Sequence, residues 1–167
     1  MLRIATTFKL ASVLVAASLL AACSSTKEET PAPVVSTPSA SSIKPGSADD
    51  FRVNVGDTVL FDTDQHTVRT DAQSILQKQA AWLKQYPQVK LMVEGHADER
   101  GTREYNLALG DRRAYAVKEF LVSLGDDAAR LQTKSYGKER PICSESDDSC
   151  WQQNRRGYSV IAAGAGS

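Results

Sequence analysis

The distribution of proline confines a folded domain to the C-terminal part of this chain. Residues 24–50 hold four of the six prolines, and Ser, Thr and Ala fill most of the other positions there. This segment has no apolar repeat of 2 or 3.6 residues, so burial cannot offset the entropy lost on ordering. We therefore expect Cys23 and a disordered linker over residues 23–50, followed by a single domain over residues 51–167.

The N-terminal segment, residues 1–22, has the pattern of a bacterial export signal. Arg3 and Lys9 provide positive charge near its start, and the run from Leu10 to Ala22 is apolar and uncharged. This run has thirteen residues, which is fewer than the ~20 that a transmembrane helix needs. We therefore interpret residues 1–22 as a cleaved signal peptide.

The end of this segment, Leu20-Ala21-Ala22-Cys23, resembles the lipobox of bacterial lipoproteins, in which the cysteine after the cleavage point carries acyl chains. An ordinary secretory signal is the alternative, but it prefers a small residue where this chain has Leu20. Two or more acyl chains on Cys23 would anchor the protein stably without a transmembrane helix. Because Ser24 rather than Asp follows, the resemblance implies an outer-membrane anchor in a Gram-negative cell, with the domain in the periplasm.

The charge balance argues against generic nucleic-acid binding. The chain carries 20 Lys+Arg and 20 Asp+Glu; without Arg3 and Lys9, 18 basic residues face 20 acidic ones, a formal net charge of −2. A protein that follows a phosphate backbone needs a basic excess, which this composition does not provide. The one notable apolar run is N-terminal, which also excludes a polytopic membrane protein.

Apolar periodicity in residues 51–167 predicts an α+β fold. Four strands are expected at residues 59–61, 89–93, 131–136 and 158–162. One helix begins near Thr70 and ends before Pro87, and a second helical region begins at Thr102, is interrupted at Gly110 and continues to residue 124. The order is β-α-β-α-β-β, with the helices packed against one sheet. The alternation of Phe51, Val53 and Val55 predicts an additional hairpin strand.

Two cysteines of the domain, Cys143 and Cys150, lie close together in an acidic segment. In an exported protein such a pair favours a disulfide bond. Free thiols and a metal site are the alternatives, but zinc motifs space their paired cysteines by two to four residues and need further ligands. None of these interpretations makes the segment a catalytic site.

The densest polar segment of the domain, residues 94–102, directly follows the second predicted strand. A glycine-bounded loop at a strand end is a common position for a ligand site. Asp98 supplies a negative charge, and Arg113 is expected in the first turn of a helix that starts near Gly110, where it could hold a carboxylate. Such a pocket suits a zwitterion, for example the ammonium and carboxylate that diaminopimelate carries on one carbon. An ordinary surface ion pair is the alternative.

The motif around these residues resembles the signature of the OmpA-like peptidoglycan-binding domain family. The matching positions are Gly95-His96-Ala97-Asp98, Gly101, Tyr105-Asn106, Leu109, Arg113-Ala114, Val117 and the C-terminal Asn154-Arg155-Arg156. These motifs occur in the family's order, and the resemblance covers about residues 59–161. Gly110 stands where the family usually has a helix-capping Ser, and Gly is a tolerated cap.

The resemblance implies a non-catalytic protein that binds the meso-diaminopimelate of peptidoglycan stem peptides without a metal or cofactor. It implies a tether between the outer membrane and the cell wall within the Tol system, which serves envelope integrity and cell division. TolB is the implied protein partner, with TolA as a second candidate. TolB and peptidoglycan are expected to compete for one polar face.

The resemblance also implies roles for individual residues. By position, Asp98 would hold the ammonium of the ligand and Arg113 its carboxylate. The further positions are Asp62 lining the pocket, Arg100, Asn106 and Leu109 at its rim and wall, and Asn154 and Arg155 as structural support.

Two other classes of function remain open at this point. His96, Asp98 and Glu99 are close in sequence and could indicate a metal hydrolase or an acid–base pair, here a murein hydrolase. That signal is weak, because the chain has no HExxH or Gly-x-Ser-x-Gly motif and His66 is its only other histidine. The second class is a protein-interaction module whose main partner is the Tol system.

Overall fold

The computed structural model describes residues 43–166. The predicted signal peptide, the lipidation site Cys23 and most of the predicted linker lie outside the described residues. Within residues 43–166, no helix is long and apolar enough to cross a membrane.

Helices and strands alternate along the described part of the chain. The helices are α1 (Ala48–Asp50), which continues into a π-helical turn (Phe51–Val55), α2 (Thr70–Gln85), α3 (Arg103–Ser123) and α4 (Asp148–Asn154). The strands are β1 (Thr58–Leu60), β2 (Lys90–His96), β3 (Leu131–Gly137) and β4 (Arg156–Ala163), and a 3-10 turn (Ala128–Arg130) precedes β3. The predicted β-α-β-α-β-β order is confirmed, with α4 as an additional helix before the last strand.

The strands form one sheet in the order β1-β4-β2-β3. β4 is antiparallel to both β1 and β2, whereas β2 and β3 are parallel and are connected through α3. Leu91 and Val93, two positions apart on β2, are fully buried, as alternation along a strand requires for one covered face. They share a core with Leu76 of α2 and Val117 of α3. The predicted α+β sandwich with helices packed on one sheet is therefore confirmed.

The segment before β1 is helical, so the predicted hairpin strand at Phe51, Val53 and Val55 is wrong. Only Phe51 of these three residues is fully buried, and its ring packs on Trp82 with the centroids 4.9 Å apart. The Trp82 indole N–H donates to the Asp50 carboxylate at 2.9 Å. Because of these contacts, the folded part of the chain begins before residue 51.

One continuous helix, α3, replaces the two helical segments predicted around Gly110. The helix begins after Thr102, whose hydroxyl accepts the Tyr105 N–H at 3.2 Å. Gly110 lies inside the helix because α3 passes very close to β2, and a Cβ on Gly95 would lie 1.8 Å from the Gly110 carbonyl oxygen. Gly110 therefore permits close packing of helix on sheet rather than capping a helix.

The helix α4 is fixed at both of its ends. At its start, the Cys143–Cys150 disulfide is present as predicted, and the Asp147 carboxylate accepts the Cys150 N–H at 2.9 Å. At its end, Asn154 accepts the Ile142 N–H at 2.9 Å and donates to the Cys143 carbonyl at 2.8 Å. No helix was predicted in this acidic segment, although Asp147 is a typical helix-capping residue.

We expect Gly95→Ala to destabilise the fold strongly. Its new Cβ would meet backbone atoms of α3, which cannot turn aside as a flexible side chain can. The free energy of unfolding should fall by about 3 kcal/mol, the upper part of the range for overpacked sites, as measured by chemical denaturation. Gly166→Ala is the control, since the nearest atom to its Cβ would be Lys44 Cε at 3.7 Å. Equal denaturation midpoints for the two variants would contradict the close contact.

Candidate functional site

A cavity of about 300 Å³ lies at the carboxyl end of β2. The loop after β1, the loop after β2 and the first half of α3 enclose it. Its lining residues are Thr63, Asp64, Ala97, Asp98, Arg100, Gly101, Tyr105, Asn106, Leu109 and Arg113. Five of the predicted site residues, Asp98, Arg100, Asn106, Leu109 and Arg113, therefore line one cavity.

Arg113 lies near the middle of α3 and is fully buried. Its guanidinium donates from Nε to the Gln65 carbonyl at 2.8 Å, from Nη1 to the His96 carbonyl at 2.8 Å and from Nη2 to the Asp62 carbonyl at 3.0 Å. A guanidinium has five N–H donors, so two remain for a ligand. The expected position in the first turn of a helix is wrong, and the positive end of a helix dipole does not act at this residue.

The positive charge of Arg113 is not neutralised by a contacting carboxylate. Burial lowers its pKa to about 10, so the guanidinium stays charged at neutral pH. In residues 43–166, Arg113 forms no ion pair within 4.0 Å. The charges of Asp98 and Asp64 favour the charged guanidinium from a distance, but no carboxylate in the described part of the chain contacts it, so this part of the cavity can accept an anionic group.

Asp98 is the negative group of the cavity and is 6% exposed. Its Oδ1 accepts the Arg100 backbone N–H at 3.1 Å and Arg100 Nε at 3.2 Å. Its Oδ2 accepts Arg100 Nη2 at 2.8 Å and Arg155 Nη1 at 3.1 Å. Burial raises the pKa of Asp98, but the hydrogen bonds from the two arginines outweigh this and hold the pKa below its usual value. Asp98 is therefore ionised at neutral and mildly acidic pH.

Arg155 fastens Asp98 to the rest of the fold. Its side chain is 8% exposed and also donates to the Phe61 carbonyl at 3.2 Å and to Gln152 Oε1 at 2.8 Å. The hydrogen bonds of Asn154 join α4 to the disulfide loop. Asn154 and Arg155 thus both bond to other parts of the domain, and a structural role for them stays a prediction.

Two side chains hold the loop after β2 by hydrogen bonds to its backbone, one from α3 and one from the segment after β3. Asn106 is 2% exposed and donates to the Arg100 carbonyl at 2.7 Å. Lys138 donates to the Gly101 carbonyl at 2.7 Å. The Tyr105 hydroxyl donates to the Asp64 carboxylate across the cavity mouth. The cavity is thus largely formed before any ligand binds.

The Asp62 side chain was expected to line the cavity but lies outside it. Its carboxylate pairs with Arg69 at 2.9 Å, its side chain is 61% exposed, and the residue is not among those that line the cavity. Only its backbone carbonyl reaches the site, as an acceptor for Arg113. Asp64 and Tyr105 do line the cavity but were not predicted; Tyr105 belongs to the recognised motif, whereas nothing in the sequence distinguishes Asp64.

The residues that suggested a hydrolase do not converge in the structure. His96 is 1% exposed and stacks on Tyr136, with ring centroids 5.5 Å apart. Glu99 accepts the Trp151 indole N–H at 2.9 Å, away from Asp98. In the described part of the chain, no group of three or more His, Cys, Asp or Glu residues could hold a metal ion.

Comparison with known proteins agrees with the family resemblance seen in the sequence. The model of the OmpA family matches residues 60–155. A peptidoglycan-associated lipoprotein of Mesorhizobium japonicum is 54% identical over 154 residues, which are 92% of this chain and 91% of that protein. Another, of Agrobacterium fabrum, is 59% identical over 127 residues, 76% of this chain and 71% of that protein.

The fold of this chain is also similar to that of a protein of known structure. The crystal structure of the peptidoglycan-associated lipoprotein from Burkholderia pseudomallei superimposes with a TM-score of 0.62 and 44% sequence identity. The match covers 63% of this chain and 89% of that chain.

We expect His96 to affect acid stability and not ligand binding. Burial, and then the charges of Arg156 and Arg140, lower the His96 pKa from 6.5 to about 4. As the pH falls from 6.5 towards 4, the unfolded chain takes up this proton before the folded chain, so stability decreases by about 3 kcal/mol.

The variant His96→Phe should remove that part of the acid sensitivity, measured as the free energy of unfolding between pH 7 and pH 4. His96 Nε2 lies 3.5 Å from the Glu94 carboxylate, but neither ring nitrogen has a hydrogen-bond partner, so Phe removes the titrating group without breaking a hydrogen bond. His66→Gln, on an exposed loop, controls for the loss of a histidine. Parallel pH profiles for His96→Phe and the unaltered chain would contradict this assignment.

Proposed function

Because the chain belongs to the OmpA family and to its peptidoglycan-associated lipoproteins, we propose that the cavity at the end of β2 binds the meso-diaminopimelate of peptidoglycan stem peptides. As a member of this group, the chain is a peptidoglycan-associated lipoprotein and not an enzyme. The proposal concerns which chemical group of the cell wall the cavity binds, and which residues bind it.

The observation that carries the proposal is the buried, unneutralised charge of Arg113 in the same cavity as the charged carboxylate of Asp98. An arginine with two free N–H donors can hold a carboxylate through charge-assisted hydrogen bonds. A carboxylate such as Asp98 can hold an ammonium. The side-chain end of meso-diaminopimelate carries both groups on one carbon and so matches both charges.

The size and rigidity of the cavity also fit a short side chain. A volume of about 300 Å³ lies at the small end of the range for ligand pockets. Leu109 is 4% exposed and contributes an apolar wall, which suits the methylenes of the ligand. A lysine residue in the same position of a stem peptide would lack the carboxylate and would leave Arg113 without its counter-ion.

A tethering function follows from this binding. With acyl chains on Cys23 in the outer membrane and the domain on the stem peptide, the chain connects that membrane to the cell wall. The family resemblance supports the Tol system as its setting, with TolB as partner, TolA as a second candidate, and roles in envelope integrity and cell division. We expect TolB to bind the same cavity face, so TolB and the stem peptide would compete for it.

We expect the full-length chain in mild detergent to bind a diaminopimelate stem peptide and to discriminate against the lysine peptide, as measured by calorimetric titration. Asp98→Asn should weaken binding about 10- to 100-fold, because hydrogen bonds to charged groups contribute about 1.5–3 kcal/mol. Asp111→Asn, an exposed acid of α3, is the matched control and should bind normally.

Equal affinity for the two peptides would show that Arg113 does not bind the carboxylate that distinguishes diaminopimelate from lysine. If neither peptide bound while TolB did, the chain would be better described as a protein-interaction module. Soluble fragments released from purified sacculi in proportion to the protein would instead support a hydrolase. Because Asp98 also pairs with Arg155, the stability of Asp98→Asn must be measured alongside its affinity.

Peptide binding should be insensitive to pH between pH 5 and pH 8. The pKa of Asp98 lies below its usual value and that of Arg113 is about 10, so neither group changes charge in this window. Affinity should fall only below about pH 4, as Asp98 takes up a proton. A binding transition between pH 6 and pH 7 would implicate another titrating group and would contradict the assigned pair.

A further inference from the structure

The carboxylate of Asp98 is already saturated in the ligand-free chain. Each of its oxygens accepts two hydrogen bonds, three of the four coming from Arg100 and one from Arg155. A carboxylate has about four lone-pair positions. An incoming ammonium therefore gains a full partner only if one of these donors leaves.

The two arginines differ in how firmly they are held. The Arg155 side chain is 8% exposed and has two further acceptors, the Phe61 carbonyl and Gln152. The Arg100 side chain is 40% exposed; within residues 43–166 its other contacts are a long hydrogen bond of 3.4 Å to Thr63 Oγ1 and the Trp151 ring. Arg100 is therefore the donor that can leave.

We infer that the Arg100 guanidinium is a displaceable internal counter-ion, which occupies Asp98 until the ammonium of a ligand exchanges with it. This inference rests on the proposed function, because it concerns the ammonium side of the same cavity. Arg100 imitates the ligand's positive charge and keeps Asp98 ionised and oriented in the empty site. Ligand binding then replaces the Arg100 guanidinium at Asp98 with the ligand ammonium, and does not add a cation to a free carboxylate.

While it is paired with Asp98, the Arg100 side chain also contacts an aromatic ring beside the cavity. Its guanidinium carbon lies 4.2 Å from the centre of the Trp151 ring, within the range of a cation–π contact. Trp151 is fixed there by its hydrogen bond to Glu99. The charges of Glu99 and Asp148 also favour a cation in this region. The Trp151 ring and these two carboxylates thus stabilise the Arg100 cation independently of Asp98, which lowers the free-energy cost of breaking the Asp98 pair.

This exchange has a consequence for ligand selection. Replacing one cation by another at Asp98 yields less net affinity than adding a cation to a free carboxylate, so the ligand carboxylate at Arg113 must contribute the larger part of the affinity. Ligands that carry an ammonium alone are therefore bound more weakly. Arg100 thus weakens ligand binding because it competes with the ligand ammonium for Asp98. A residue that contacted the ligand directly would strengthen ligand binding.

The test is a calorimetric titration of the full-length chain and Arg100→Gln with the diaminopimelate and lysine stem peptides. Loss of the competing cation should tighten binding of both peptides about tenfold. Arg103→Gln is the matched control, because it removes the same charge from an exposed residue that pairs with Glu139 outside the cavity. It should leave both affinities unchanged.

Weaker or unchanged binding of the diaminopimelate peptide by Arg100→Gln, with the unaltered chain binding normally, would overturn the inference and leave the proposed function intact. Absence of binding by both proteins would overturn the proposed function, and the inference with it. A second measurement is the NMR signal of the Arg100 side-chain Nε–H. This signal should move on saturation with the diaminopimelate peptide, and an unmoved signal would also overturn the exchange.

Discussion

The fold and the site both depend on the three hydrogen bonds that the buried Arg113 guanidinium donates to backbone carbonyls. The acceptors are Asp62 and Gln65 in the loop after β1 and His96 at the end of β2. One side chain of α3 thus joins the two loops that enclose the cavity. The same group brings a positive charge into the cavity, so the charge that would attract a carboxylate is also the charge that keeps the loops in place.

Residues within one local pattern were predicted well from the sequence. Asp98 and Arg113 follow from a recognisable motif, and the strands and α2 follow from apolar periodicity. The interruption at Gly110 was wrong because its cause is not local. Gly110 is required by the close approach of Gly95 on β2, and a sequence read in order does not show which strand a helix will cross.

The roles of polar side chains were the hardest feature to predict, because each role depends on partners distant in the sequence. Asp62 seemed to offer a carboxylate, but Arg69 takes that carboxylate and only the carbonyl serves the site. Asp98 is shared by Arg100, two positions away, and Arg155, which is 57 positions away. The family resemblance points to Asp62, Asp98, Arg100 and Arg155 but not to Arg69, and only the fold determines which donor each acceptor receives.

The α4 segment shows how support for the cavity extends to the far end of the chain. The disulfide and Asn154 hold α4 against its preceding loop, and α4 in turn presents Trp151 and leads into Arg155. Arg155 is buried and orients Asp98, while the half-buried Trp151 ring contacts Arg100. An exchange of cations at Asp98 needs both residues, because the Asp98 carboxylate must stay in place while the Arg100 guanidinium moves. The helix α4 and the residue that follows it therefore supply both the contact of Arg100 with Trp151 and the fixed partner of Asp98, Arg155.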